Sequence, residues 1–138
     1  YDICWDNNYA EKYNITYATP QEIFETCDFI SLHLPLTEDT RYIVNEKTLS
    51  LMKPNSILIN TARGGLVDEN ALISALKNGT IAGAGLDVFS HEPPEDEEFY
   101  KLDNLIMSSH SAASTYEASV NMSYLSAKNL LNDLSLCL

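Results

Sequence analysis

The sequence predicts an α/β fold: a parallel sheet with helices on both faces. Two observations carry this. Short apolar runs alternate with capped helical stretches along most of the 138 residues. Each run is nearly continuous rather than alternating apolar with polar, as expected of strands buried on both sides. The length is one domain's worth, enough to bury a real core, and 45% hydrophobic with 20% charged residues is ordinary for a globular chain.

The elements follow in order. "YDICWD" reads as the end of a strand, and "NITYA" (Asn14–Ala18) as a short strand. Thr19-Pro20 supplies an N-cap and a proline at the first helical position, so "QEIFETC" is a helix. "DFISLHLP" (Asp28–Pro35) is an apolar strand. "NEKTLSLM" is a short helix capped by Asn45 and stopped by Pro54. "SILINT" (Ser56–Thr61) is the next strand. "DENALISALKNG" is a helix with Asp68 as cap, Leu72, Ile73 and Leu76 as apolar stripe, and Gly79 as terminator. "IAGAGLDVF" (Ile81–Phe89) and "NLIMSS" (Asn104–Ser109) are strands around an acidic, proline-rich loop, "HEPPEDEEF". From about Ser114 the chain reads as one long helix. Val120, Tyr124, Ala127, Leu131, Leu134 and Leu138 share a face that wants a partner surface.

A formal net charge of -12 argues against nucleic acid as a partner, because phosphate binding needs clustered Lys and Arg. Cys4, Cys27 and Cys137 are widely spaced, with no CxxC, which fits neither a disulfide framework nor a metal site. They read as reduced thiols in a cytoplasmic protein. No run reaches the length of a membrane span, and no signal peptide is visible. The chain opens on Tyr1 and reads as a fragment of something longer.

In an open parallel sheet, ligands bind beyond the carboxyl ends of the strands. There the successive strands deliver His33-Leu34-Pro35, then Thr61-Ala62-Arg63, then Asp87 and Glu92, then His110. Singly, each has an ordinary reading: a structural histidine, a turn arginine, solvated carboxylates. His33 and His91 are read from the residues alone as structural or exposed. Four strand ends bringing complementary groups to one edge shift the balance. Arginine offers a planar fork for a carboxylate or carbonyl oxygen. Histidine gives or takes a proton near neutral pH, and a glutamate beside it would favour the imidazolium. The set suits moving a proton on and off the oxygen of a carboxylate-bearing carbonyl compound, and the hydride then has to come from a nicotinamide cofactor.

"SLMKPNSILINTARGGLVDENAL", then "GAGLDVFSHEPP", then "SSHSAAST" resemble the D-isomer-specific 2-hydroxyacid dehydrogenases in motif, order and spacing, over nearly the whole chain. The resemblance implies a Rossmann-like sheet, here incomplete because the first βα unit with its GxGxxG loop is absent. It implies a partial NAD-binding domain over residues 1–138, with the substrate-binding domain outside this chain. By resemblance, Arg63 is the substrate arginine, Glu92 its carboxylate partner and His110 the acid/base. Asp87 faces the nicotinamide carboxamide, His33 and Pro35 line the cofactor cleft, and Thr61, Ala62, Ala112 and Ala113 lie near the nicotinamide. Asp2 matches the acidic residue on the adenosine ribose, which favours NAD over NADP. The small residues after His110 resemble the phosphoglycerate and hydroxypyruvate/glyoxylate branches, and Glu92 stands where a formate dehydrogenase has Gln. Ser109 stands where the family usually has proline.

The resemblance implies an oxidoreductase moving a hydride between NAD(H) and a D-2-hydroxy acid/2-keto acid pair, working as a homodimer, with neither nucleic acid nor membrane as partner and no metal. These 138 residues alone are expected to be inactive. The rival reading is a non-catalytic NAD-sensing interaction module, corepressor-like, or an inactive fragment.

Overall fold

Four strands, β1 (Phe29–Leu32), β2 (Ile57–Asn60), β3 (Gly83–Leu86) and β4 (Leu105–Met107), form one sheet in the order β1-β2-β3-β4, every pair parallel. The structure, a computed structural model, describes residues 1–136, so Cys137 and Leu138 lie outside the described residues. It divides into two units, Tyr1–Met107 and the segment from Ser108 on. The first holds the sheet and helices α1 (Asn7–Tyr13), α2 (Pro20–Thr26), α3 (Glu46–Leu51) and α4 (Glu69–Lys77); the second holds α5 (Tyr116–Leu136).

The helix boundaries are local chemistry. Thr19 caps α2 in a reciprocal capping box with Glu22, and Pro20 opens the helix. Asn45 caps α3 by accepting from the Lys47 and Thr48 backbone N–H groups. Asp68 caps α4 through the Ala71 N–H, and Gly79 follows its end with φ of 66°. Helix α1 is not among the elements the sequence suggests. It is capped by Asp6 and closed by Asn14, whose left-handed backbone lets its N–H reach back to Ala10 and Glu11.

Two expected strands do not form. Residues 14–18 leave Asn14 as a helix cap followed by chain with no regular secondary structure, with Ile15 and Tyr17 exposed. Residues 1–6 are irregular, with the Cys4 N–H bonded to the Asp2 carboxylate. A strand is defined by its neighbour, and among the described residues neither segment has one.

Register decides which strand residues face the core. Ile30, Leu58 and Ala84 align across β1, β2 and β3, and Leu32, Asn60 and Leu86 align one step on; all six are buried. They pack with Phe24 of α2, Leu49 of α3, and Leu72, Ile73 and Leu76 of α4 in one core that also takes Val44, Leu66, Ile81 and Phe99. On the opposite face Phe29 and Ile106 stay exposed. Burial therefore alternates with a period of two along strands whose composition reads as continuous apolar runs.

Phe99 seals the edge of the core against Phe89, with ring centroids 5.5 Å apart and rings nearly perpendicular. The turn that carries it is fastened by Glu98, which pairs with Lys101 at 2.6 Å and with Lys77 at the end of α4. Lys101 and then Lys77 hold the Glu98 carboxyl at about 2, well below the usual carboxylate range. Cys4 and Cys27 are free thiols. Among the described residues, no helix is long and apolar enough to cross a membrane.

Candidate functional site

The carboxyl ends of β1 and β2 open into two adjoining grooves that share His33 and Leu34. One, about 320 Å³, is lined by Tyr1 and Asp2 and by apolar side chains that include Ile23, Phe24 and Ile43. The other, about 580 Å³, runs between His33–Leu36 and Ala62–Arg63. The first unit thus brings Asp2, His33, Pro35, Ala62 and Arg63 to one side of the sheet. Thr61 is exposed in the same turn. The His33 ring is held by Ser31 at 2.8 Å across the last turn of the strand.

Arg63 leaves β2 through a tight turn and is followed at once by a buried 3-10 turn, Gly64–Leu66. That turn is stitched to the segment before α3: Tyr42 N–H donates to Gly65 O, Val44 N–H to Leu66 O, and Asp68 N–H to Val44 O. The Arg63 guanidinium is exposed and donates to Ala62 O at 2.6 Å. With its base clamped and its fork at the groove, it is a local cation in an acidic chain, suited to a carboxylate.

Glu92 follows the end of β3 in a short loop. Its Oε1 accepts from the Phe89 N–H at 3.1 Å, and the Ser90 N–H donates to Glu69 at the start of α4 at 2.6 Å. Gly64 lies against this loop: a Cβ there would sit 1.9 Å from the Phe89 carbonyl carbon. The Arg63 turn and the Glu92 loop are therefore backbone against backbone, an arrangement only glycine permits. Asp87 is half-buried, with its N–H on Asn60 O. His91 is exposed and paired with Glu95, apart from the groove-lining residues.

His110, Ala112 and Ala113 belong to the second unit. His110 is exposed and sits in the left-handed region with φ of 50°. Flanking it, Ser109 Oγ donates to Ser111 Oγ at 3.0 Å. A short 3-10 turn over Ala112–Ser114 follows, and Thr115 caps α5 by accepting from the Ala118 N–H. In place of a proline ahead of the ring, a hydroxyl pair bridges it and one strained backbone residue re-aims the chain. Histidine tolerates that conformation better than most side chains.

The residues present fit the two ends of a dinucleotide. A largely apolar slot lined in part by Asp2 suits a flat base and its ribose diol. The second groove, between His33–Leu36 and Ala62–Arg63, has room for a carboxamide-bearing ring. Gly83 and Gly85 lie inside β3, so they are not a phosphate-binding turn at a helix N-terminus. Among the described residues, no group of His, Cys, Asp and Glu could hold a metal ion.

Two residues that position the site were not singled out in the sequence: Asn60, fully buried at the end of β2, and Glu69, tied to Ser90. The signal for Asn60 was present. It shares a face with Leu58 by the period of two, and an amide on a core face needs a purpose.

Comparison with known proteins gives the family. A family model described as D-isomer specific 2-hydroxyacid dehydrogenase, NAD binding domain, matches residues 1–112. A glyoxylate reductase of Thermococcus litoralis is 52% identical over 121 residues, covering 88% of this chain and 37% of that protein. One from Pyrococcus furiosus is 50% identical over 115 residues, covering 83% of this chain and 34% of that protein. Among solved structures, an NAD-complexed D-isomer specific 2-hydroxyacid dehydrogenase from Lactobacillus delbrueckii ssp. bulgaricus superposes with a TM-score of 0.86. It is 34% identical, covering 98% of this chain and 45% of that one. The chain thus spans little more than a third of the curated relatives it matches.

Proposed function

The chain belongs to the D-isomer-specific 2-hydroxyacid dehydrogenases, as their NAD-binding domain, and from that premise we propose that it serves an enzyme reducing small 2-keto acids to D-2-hydroxy acids. Glyoxylate and hydroxypyruvate are the first substrates to try. The observation that carries this is the groove from His33 to Arg63: an exposed guanidinium at the strand ends beside a slot whose lining includes Asp2.

In this reading NADH, when bound, supplies the hydride. Asp2 accepts from the adenosine ribose hydroxyls and disfavours a 2′-phosphate. His33, Pro35, Thr61, Ala62, Asp87, Ala112 and Ala113 hold the cofactor. Arg63 grips the substrate carboxylate or carbonyl oxygen. His110 gives a proton to the carbonyl oxygen as the carbon is reduced, and takes it back in oxidation. Glu92 sustains the charge on His110. Support for Glu92 and His110 comes from the family's motif order.

The full-length protein is expected to consume NADH with glyoxylate or hydroxypyruvate, and Arg63→Lys to lower kcat/KM about 100-fold, because an ammonium cannot reproduce the fork. No NADH loss with any 2-keto acid would leave the sensor reading in its place.

We further propose a cytoplasmic homodimer formed through α5, supported by the exposed Val120, Tyr124, Leu131 and Leu134 on one face of that helix. Sedimentation of the full-length protein checks it: a dimer is expected, and Leu131→Glu should yield monomer.

A further inference from the structure

We propose that Asn60 is a positioning residue for Arg63, setting the direction in which the guanidinium leaves the sheet; this rests on reading Arg63 as the carboxylate-binding group. Asn60 is the last residue of β2 and is completely buried. A buried amide is tolerated only when its donor and acceptor are both paired. Here both are spent on one short turn. Oδ1 accepts from the Ala62 N–H at 3.1 Å, and Nδ2 donates to the Arg63 carbonyl at 2.9 Å. The Asn60 backbone carbonyl also accepts from the Asp87 N–H at 3.0 Å. One side chain therefore ties the Thr61–Ala62 and Arg63–Gly64 peptides of the turn to the strand, and its own backbone ties that strand to the next strand's end.

The consequence is specific to Arg63. Its long side chain has many torsions and is exposed, and the fold holds it at two points: its base, and the guanidinium where it donates to the Ala62 carbonyl at 2.6 Å. That base is held on one side by Asn60 and on the other by the Gly64–Leu66 turn. Removing the Nδ2 donor leaves the Arg63 carbonyl to the longer bond from the Leu66 N–H, at 3.2 Å, and loosens the tie between the turn and the strand. The strand, the core and the apolar slot near Asp2 do not depend on that bond. Asn60 should therefore govern the grip on the substrate carboxylate and leave cofactor affinity alone.

The test is a double-mutant cycle in the full-length protein, with glyoxylate and NADH as probes. Asn60→Asp has the same shape and keeps the acceptor for Ala62, but it puts an oxygen where the donor to Arg63 stood. It is expected to raise KM for glyoxylate about tenfold, with KM for NADH within about twofold. In an Arg63→Ala background the same change is expected to move KM for glyoxylate less than about twofold, because the group it acts through is gone. Additive effects in the two backgrounds, or a drop in kcat and melting temperature with KM unmoved, would overturn the proposal. If Asn60→Asp does not fold, Asn60→Ser, which is neutral and whose hydroxyl ends one bond short of the Nδ2 position, serves in the same cycle with the same expectation. An Arg63→Ala protein with unchanged KM for glyoxylate would instead sink the reading of Arg63 itself, which separates the two failures.

Discussion

His110→Gln in the full-length protein is expected to lower turnover on glyoxylate by about 10²–10⁴-fold, with NADH affinity within about twofold of the parent. Glutamine keeps polarity and reach but can neither give nor take a proton at neutral pH. The backbone complicates the reading. His110 sits at φ of 50°, a region that costs about 1–2 kcal/mol for most side chains, so a loss could come from strain. His110→Asn separates the causes, because asparagine is at home in that region and is equally unable to transfer a proton. Equal losses in both variants assign the effect to the proton. An asparagine variant near parental activity would mean the ring serves the turn, and the acid/base role would have to move elsewhere.

The second large effect is on the fold. Gly64→Ala should destabilise the chain by about 2–4 kcal/mol, at the severe end for a single methyl. The added carbon would lie 1.9 Å from the Phe89 carbonyl carbon, 2.2 Å from its oxygen and 2.3 Å from the Ser90 nitrogen. All three are backbone atoms of a loop anchored at Glu69 and Glu92, so no rotamer change relieves the clash. Gly85→Ala is the contrast: it lies on the less covered face of β3 with nothing within 4 Å of an added carbon, and should change stability by less than about 1 kcal/mol. Urea unfolding followed by circular dichroism reads both. If the two substitutions cost the same, the contact between the Arg63 turn and the Glu92 loop does not bear on stability. Where Gly64→Ala folds at all, activity should fall more than stability, because the loops on either side of the contact carry the two charged groups.

What could be read without coordinates is what is settled within a few residues. Thr19-Pro20 with Glu22, Asn45, and Asp68 with Gly79 mark helix ends by hydrogen bonds to backbone three or four positions away, and each cap forms where the sequence places it. The family could be read for a related reason. Arg63, Glu92 and His110 come with neighbours whose order is preserved whatever the packing. The failures are of the opposite kind. The segments 1–6 and 14–18 have strand-like composition, yet no described strand pairs with them, and composition cannot supply a partner.

Sequence by itself determined the family, the parallel α/β class, the helix caps and the list of chemical groups, all carried by local bonds or by motif order. Only the tertiary structure decided the register that buries Leu58 and Asn60 on one face. Only it turned Asn60 from the tail of an apolar strand into the clamp of the Arg63 turn, and made Gly64 irreplaceable by setting it against Phe89. The register and the Gly64–Phe89 contact depend on which backbone lies alongside which, across more than twenty residues of chain, and the burial that commits the Asn60 amide to its two local bonds comes with that register. Pairing over such distances is fixed by the packed core as a whole rather than by any stretch of residues within it.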